Sequence, residues 1–268
     1  MNGTIGASHK PLLQVRGLTK SFGGVRAVQG LDLEVYPGEL VALIGPNGAG
    51  KSTCFNMLNG QLVPDAGSVL LQGHELAGLA PRQIWRKGVG RTFQITATFG
   101  SMSVLENVQM ALLSHHRKLL SWWPFAGGLY REQALALLEQ VGMRPQAGRP
   151  CGILAYGDLK KVELALALAG EPGLLLMDEP TAGMHPAERG ELMGLIRRTA
   201  ADRNISALFT EHDMDVVFGH ADRVIVMDHG QMVAQGTPED VRENPRIREI
   251  YLGGPSGPGD TGKPGEAP

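Results

Sequence analysis

A chain of 268 residues that is 43% hydrophobic can bury a full core, either as one large α/β domain or as a domain with an inserted lobe. The formal net charge of -2, with the two signs interspersed, supplies no basic stripe for broad electrostatic binding, so no nucleic-acid partner is expected. The two cysteines, Cys54 and Cys151, sit in a chain too large to need staples, which points to a reducing compartment rather than a disulfide framework.

Residues 1–10 read as a flexible start with no basic segment leading into an apolar one, which argues against a secretory signal. No apolar run reaches the roughly 18–20 residues that span a bilayer, so the chain is expected to be soluble by itself. Short strands are predicted at 12–17 and 31–35, with Phe22-Gly23-Gly24 turning between them, as a small β-rich lobe. A buried strand follows at 40–44 and feeds a helix that begins near Lys51. Beyond it come a strand at 68–71, a short helix at 81–87 with Pro81 at its start, and a strand at 89–94. Strand character is then lost. Apolar residues at helical spacing over 104–114 and 130–141 mark a helical insertion at about 95–165. The α/β pattern resumes with a helix at 157–169, a strand at 173–178, a helix at 186–201, a strand at 205–210 and a helix at 214–220. Strands 223–228 and 231–235 form a hairpin around His229-Gly230, and short helices at 238–244 and 245–251 close the pattern. The Gly/Pro-rich stretch 253–268 cannot bury apolar area and is expected to be a disordered tail.

Directly after the 40–44 strand stand Gly45, Pro46, Asn47, Gly48, Ala49, Gly50, Lys51, Ser52 and Thr53, the spacing of a phosphate-binding P-loop in its required strand-to-helix context. Glycine lets backbone N–H groups curl around phosphate oxygens, and the following helix turns the positive end of its dipole towards them. Lys51 would reach the β- and γ-phosphates, Ser52 would offer its hydroxyl to Mg²⁺, and Thr53 would bond phosphate nearby. A ligand-free glycine turn would leave the Lys-Ser-Thr run unexplained. Further on, the run 174–177 ends in Asp178, followed at once by Glu179-Pro180. One acid for a metal and a second for the attacking water is the minimum kit for hydrolysing a phosphoanhydride.

Together with Gly90-Arg91-Thr92-Phe93-Gln94, Leu154-Ala155-Tyr156-Gly157-Asp158 and Glu211-His212-Asp213-Met214, these motifs stand in the order and spacing of the ATP-binding-cassette (ABC) ATPases, which the chain resembles over about residues 12–252. Ser103–Val108, Glu179–Met184 and the segment 211–217 resemble most the ATPase subunits of branched-chain amino-acid importers. The resemblance implies a P-loop NTPase α/β core with an antiparallel β lobe and an inserted α-helical subdomain, ATP as substrate and Mg²⁺ as cofactor. It implies that Phe22 stacks on adenine, with Val28 lining the same base. Gln94 would contact Mg²⁺ and the attacking water and link the site to the membrane subunit. Asp178 would hold Mg²⁺ through water, Glu179 would act as general base, and His212 would touch the γ-phosphate. The signature loop Leu154, Ala155, Tyr156, Gly157 and Asp158 would serve ATP held by a second cassette. The implied partners are that cassette, two permease subunits and, indirectly, an external solute-binding protein, at the cytoplasmic face of the cell membrane.

Two departures from the family pattern stand out. Ala155 lacks the hydroxyl of the common Leu-Ser-Gly-Gly-Gln signature, and Ala182-Gly183-Met184-His185 replaces the common Ser-Ala-Leu-Asp turn. His115-His116, adjacent on a helix and diverging in direction, read as solvated. Ser121-Trp122-Trp123-Pro124-Phe125 either meets a membrane subunit or lipid headgroups or packs onto the insertion's own helices. Other functions left open are urea or amide import, lipid export, a non-transport assembly switch, and a nucleotide-binding module without turnover.

Overall fold

The computed structural model describes residues 10–92, 98–116, 128, 130–245 and 247. Two separate sheets make up the framework. The first is an antiparallel lobe of β1 (Leu13–Phe22), β2 (Val25–Val35), β4 (Ala66–Leu71) and β5 (His74–Glu75), ordered β2-β1-β4-β5. The second contains β3 (Leu40–Ile44), β6 (Val89–Thr92), β7 (Leu174–Asp178), β8 (Ser206–Thr210), β9 (Arg223–Asp228) and β10 (Gln231–Gly236), ordered β10-β9-β3-β8-β7-β6. Its strands run parallel except for β10, which returns antiparallel along β9. All five residues of β3, of β7 and of β8 are buried, as expected of parallel strands covered on both faces.

Eight α-helices are described: α1 (Lys51–Leu58), α2 (Pro81–Arg86), α3 (Val104–His115), α4 (Arg131–Gln140), α5 (Tyr156–Leu168), α6 (Pro186–Arg203), α7 (Met214–His220) and α8 (Pro238–Glu243). Helix α3 starts at a reciprocal cap, in which the Ser103 hydroxyl accepts from the Glu106 N–H while Glu106 accepts from Ser103. Beside it Asn107 donates to the carbonyls of Phe99 and Ser103, tying the entry loop to the helix. Two apolar clusters divide the interior. One packs α3, α4, α5 and α6 on one face of the parallel sheet; the other joins its opposite face to α1 and the antiparallel lobe.

The β-rich lobe is more regular than the sequence suggests. β1 and β2 run unbroken to a two-residue turn at Gly23-Gly24, both with positive φ, where short strands at 12–17 and 31–35 were expected. The reason is three register slips, the last between Lys20↔Val28 and Ser21↔Arg26. The register steps from Val15↔Leu33 to Leu18↔Leu31, adding a residue on β1 at Gly17, and then to Lys20↔Val28, adding one on β2 at Gly30. Each slip breaks the period-two alternation by which a strand is recognised, without ending the strand. The second hairpin turns at His229-Gly230, where Gln231 pairs with Asp228 and both turn residues have positive φ.

Cys54 is fully buried and its thiol is pushed up to about 12 by desolvation, while Cys151 is buried and shifted the same way; both are free. His115 corrects an expectation. It is half-buried rather than solvated, edge-on to Trp85 at 5.4 Å, because the end of α3 leans on α2. His116 is exposed and stacks on Tyr130 at 4.7 Å. Residues 121–125 and most of the helix expected at 245–251 lie outside the described residues.

Candidate active site

The site forms where β3, β8 and β7, side by side in the parallel sheet, end at their carboxyl edge. Ligands of open α/β sheets bind at that edge. β3 delivers the P-loop, which closes by backbone geometry. Gly45 and Gly50 have φ of 156° and 98°, and a Cβ at either would lie 2.2 Å from the Met227 carbonyl oxygen or 2.3 Å from that of Ala27. No other residue fits there without moving β9 or β2. Gly50 caps α1 with no side-chain hydrogen bond, and the first turn of α1 carries no acid, so its N-terminal N–H groups have no side-chain anion to hold.

Lys51 is buried, and its Nζ donates to Gly45 O at 2.6 Å and Pro46 O at 3.0 Å, folding the ammonium into the loop. Burial lowers its pKa, while the charges of Glu179 and Asp178 act in the opposite direction. Ser52, Asn47 and Gly48 are exposed at the rim, and Thr53 is half-buried.

β7 and β8 end in register, Asp178 opposite Thr210. The Thr210 hydroxyl donates to Asp178 Oδ1 at 2.6 Å and accepts from the Glu179 N–H at 3.0 Å. Glu179 stands at φ 48°, in the left-handed region where a non-glycine residue costs on the order of 1–3 kcal/mol. Its backbone N–H also donates to Thr210 O at 3.1 Å. His212 Nε2 lies 2.8 Å from Glu179 Oε1, within hydrogen-bonding distance. The two side chains are 49% and 23% exposed, open to a ligand in the P-loop. Asp178, Glu179, His212 and Lys51 are thus brought to one sheet edge.

The next residues tie the same two segments together. Thr181 donates through its N–H and its hydroxyl to Glu211 Oε1, at 2.8 and 2.7 Å. Arg189 on α6 pairs with Asp213 and donates to Met184 O at 2.9 Å, and Asp213 caps α7 by accepting from Asp215 and Val216. Burial raises the Glu211 pKa, against its hydrogen bonds from Thr181 and His212. Burial also acts on Asp213, but Arg189 and the α7 N–H groups outweigh it and hold that carboxyl below the usual aspartate range. Thr181 and Glu211 fall inside the segments of family resemblance but carry no role read from the sequence, and Thr210 and Arg189 are not singled out there. The only sign of Thr210 in the sequence is its position at the end of a strand that had to abut Asp178.

The base side differs from expectation at one residue. Phe22 is 46% exposed at the hairpin tip, with Lys20 Nζ 5.7 Å from its ring centre, and is free to stack. Val28 is fully buried in the core beneath Gly50, where a Cβ on that glycine would meet its methyl at 3.4 Å. It therefore shapes the loop from below and presents no surface to a base. Gln94 lies outside the described residues, two positions past the end of β6.

The segment 154–158 is not part of this edge. Ala155 is the exposed N-cap of α5, Tyr156 is exposed and faces Gly183, where a Cβ would meet its ring at 3.5 Å, and Gly157 faces Met184 in the same way. Asp158 accepts from Gln146 at 2.7 Å and from Lys161 at 3.3 Å. Leu154 is buried. The exposed end of α5 therefore abuts the turn that follows Glu179, and its N-cap supplies no side-chain hydrogen bond.

A P-loop, a paired Asp-Glu at the neighbouring strand end and a histidine in contact with that Glu, on this two-sheet framework, define an ATP-binding cassette. Residues 28–182 match the family model described as "ABC transporter", and the chain belongs to that family. It is 43% identical over 255 residues to the high-affinity branched-chain amino acid transport ATP-binding protein LivG of Escherichia coli K12, covering 91% of this chain and 98% of that protein. The corresponding BraF of Pseudomonas aeruginosa is 40% identical over 256 residues, with the same coverage. Among solved structures, the ADP conformation of MJ1267, an ATP-binding cassette of an ABC transporter, superposes with a TM-score of 0.81 at 29% identity, over 91% of this chain and 99% of that one. A nucleotide-free ATP-binding cassette gives 0.81 at 31% identity, over 91% and 100%.

Proposed function

We propose that this chain is the ATP-hydrolysing subunit of an importer for branched-chain or related hydrophobic amino acids. The observation that carries the hydrolytic part is the Glu179–His212 contact beside the P-loop; the solute rests on the identity to LivG and BraF. In this reading Lys51 turns from Gly45 and Pro46 to the phosphates, the α1 N–H groups hold them, and Phe22 stacks on adenine. Glu179 takes the proton of the attacking water, and His212 holds Glu179 and the γ-phosphate in line.

Mg²⁺ fits this donor set. Ser52 and Asp178 offer hard oxygen ligands, and among the described residues no group of three or more His, Cys, Asp or Glu side chains forms an all-protein cage. Mg²⁺ characteristically takes one or two protein ligands together with substrate phosphates. Bound there, it would neutralise charge on the β- and γ-phosphates, with Gln94 as a further ligand.

The same reading divides the chain into a cassette at 11–252, with its helical insertion at about 95–165; residues 1–9 and 253–268 lie outside the described residues. A second cassette would close head to tail, so that Leu154, Ala155, Tyr156, Gly157 and Asp158 meet ATP held by the partner. Among the described residues no helix is long and apolar enough to cross a membrane, which agrees with attachment to the cytoplasmic face through permease subunits. A largely apolar cleft of about 510 Å³, walled by Ile84, Trp85, Phe99, Met110 and Leu166, opens beside Thr92 and is the surface we assign to a permease.

Purified full-length chain should release phosphate from Mg·ATP. Glu179→Gln should lower turnover by about 10²–10⁴ while ATP still binds. Near-normal turnover in that variant removes Glu179 from the role. The solute is tested in vesicles carrying the chain with its co-purifying permeases and binding protein: ATP-driven leucine uptake supports the reading, and uptake of urea or of no amino acid overturns it.

A further inference from the structure

Past Asp178 and Thr210 the parallel ladder of β7 and β8 stops, yet the two segments stay zipped, and side chains do the zipping. The Glu211 carboxylate bridges the two segments beyond the last strand pair. Its Oε1 accepts from both the N–H and the hydroxyl of Thr181, and its Oε2 lies 3.3 Å from the backbone N of His212, which donates to it. Thr181 is 1% and Glu211 4% exposed, so neither group has water as a substitute partner. One carboxylate therefore grips the turn two residues beyond Glu179 and the residue that bonds Glu179.

We propose that Glu211 is a positioning residue for hydrolysis: by anchoring Thr181 it fixes the backbone that presents Glu179 to His212. The proposal rests on the ATPase reading above. Glu179 sits in a left-handed conformation that a free turn would leave, because an L-residue without restraint relaxes to negative φ. On its N-terminal side Thr210 restrains it, through bonds to its N–H. On its C-terminal side Glu211 supplies the matching restraint through Thr181. Burying a carboxylate is unfavourable unless its bonds are made, and all three bonds go to this turn or to His212. Glu179 and His212 each follow directly on one of the two strand ends, so the alignment of their side chains depends on how the backbone at those ends is held.

The test uses purified full-length wild type, Glu211→Ala, Glu211→Gln, Thr181→Val and the double variant Glu211→Ala/Thr181→Val, reading kcat for ATP hydrolysis and, separately, Kd for Mg·ATP. Glu211→Ala is expected to lower kcat by about 10- to 100-fold, the scale of a displaced catalytic group, with Kd changed by less than about twofold because the P-loop is untouched. Glu211→Gln, whose amide oxygen can accept both Thr181 bonds, should recover most of the loss. Thr181→Val, which loses only the hydroxyl bond and keeps its volume, should show a smaller fall in kcat at unchanged Kd, and the double variant should be no worse than Glu211→Ala. If Glu211→Ala fails to fold, the Gln and Val variants still decide. A wild-type kcat in Glu211→Ala or Thr181→Val, a parallel loss of ATP affinity, or a Gln variant as impaired as Ala would each overturn the proposal. A wild type that does not hydrolyse ATP overturns the ATPase reading and this proposal with it, whereas a normal wild type with unaffected variants overturns this proposal alone.

Discussion

The P-loop and the paired ends of β7 and β8 face the same ligand and are held by opposite means. The P-loop is a backbone device: glycines of positive φ, an uncapped helix start and a lysine bonded to carbonyls five and six residues before it. The β7–β8 edge is a side-chain device, built from bonds between residues 30 to 33 positions apart: Thr181–Glu211, Thr210–Asp178 and Glu179–His212. A backbone cage is rigid and tolerates no added atom. A side-chain clasp can be opened one bond at a time, and in the proposed function the residues that meet the γ-phosphate are on the clasp.

The largest effect should come from breaking the cage. Gly50→Ala puts a Cβ 2.3 Å from the Ala27 carbonyl at φ 98°, and because the obstacle is backbone, β2 or the loop must shift. ATP binding is expected to be lost and the thermal midpoint lowered. Lys51→Ala, by contrast, should weaken ATP binding with the fold retained, since it deletes a charge and leaves the loop geometry. Calorimetric titration with Mg·ATP and thermal melts of both variants check this, and a Gly50→Ala protein that binds ATP normally would break the distinction between cage and clasp.

A smaller and pH-dependent effect belongs to the clasp. Asp213 has its pKa lowered in the fold, so the stability it confers is present above the ordinary aspartate value of 3.8 and disappears as pH falls through the lower folded value. Denaturant midpoints of the wild type should therefore drop on acidification below about 4 more steeply than those of Asp213→Asn, which retains the α7 cap but loses the ion pair with Arg189. Arg189→Ala should flatten the profile in the same region. Identical profiles in all three proteins would show that the tie carries no net stability.

The smallest effect sharpens the comparison at the signature loop. Ala155 has N-cap geometry, φ -62° and ψ 152°, with no side-chain bond to the α5 N–H groups. Ala155→Ser should cap α5 and add about 1 kcal/mol, raising the midpoint by about 2–4 °C without nucleotide. If the new hydroxyl instead serves a partner's γ-phosphate, the gain should appear as dimer closure at lower ATP concentration, with the nucleotide-free midpoint unchanged. Thermal melts with and without Mg·ATP, alongside a closure assay against the same partner cassette, separate the two.

The sequence by itself determined the P-loop, the strand that feeds it, the Asp178-Glu179 pair and His212. The first three are local patterns, a buried apolar run, glycines at fixed spacing and paired acids at a strand end, whereas His212 was legible only through the family resemblance of the residues around it. Helix limits came within a few residues because caps such as Ser103 with Glu106 and prolines at the starts of α2, α6 and α8 are local signals too. The full length of β1 and β2 was hidden because the bulges at Gly17 and Gly30 shift the alternation, and only pairing across the hairpin restores it. The burial of Val28 and the seating of His115 against Trp85 depended on which element packs above them. Only the tertiary structure decided the clasp. Thr181 meets Glu211 because β7 and β8 end side by side, Arg189 meets Asp213 beside them, and a bond between side chains some thirty residues apart leaves no periodicity in the chain.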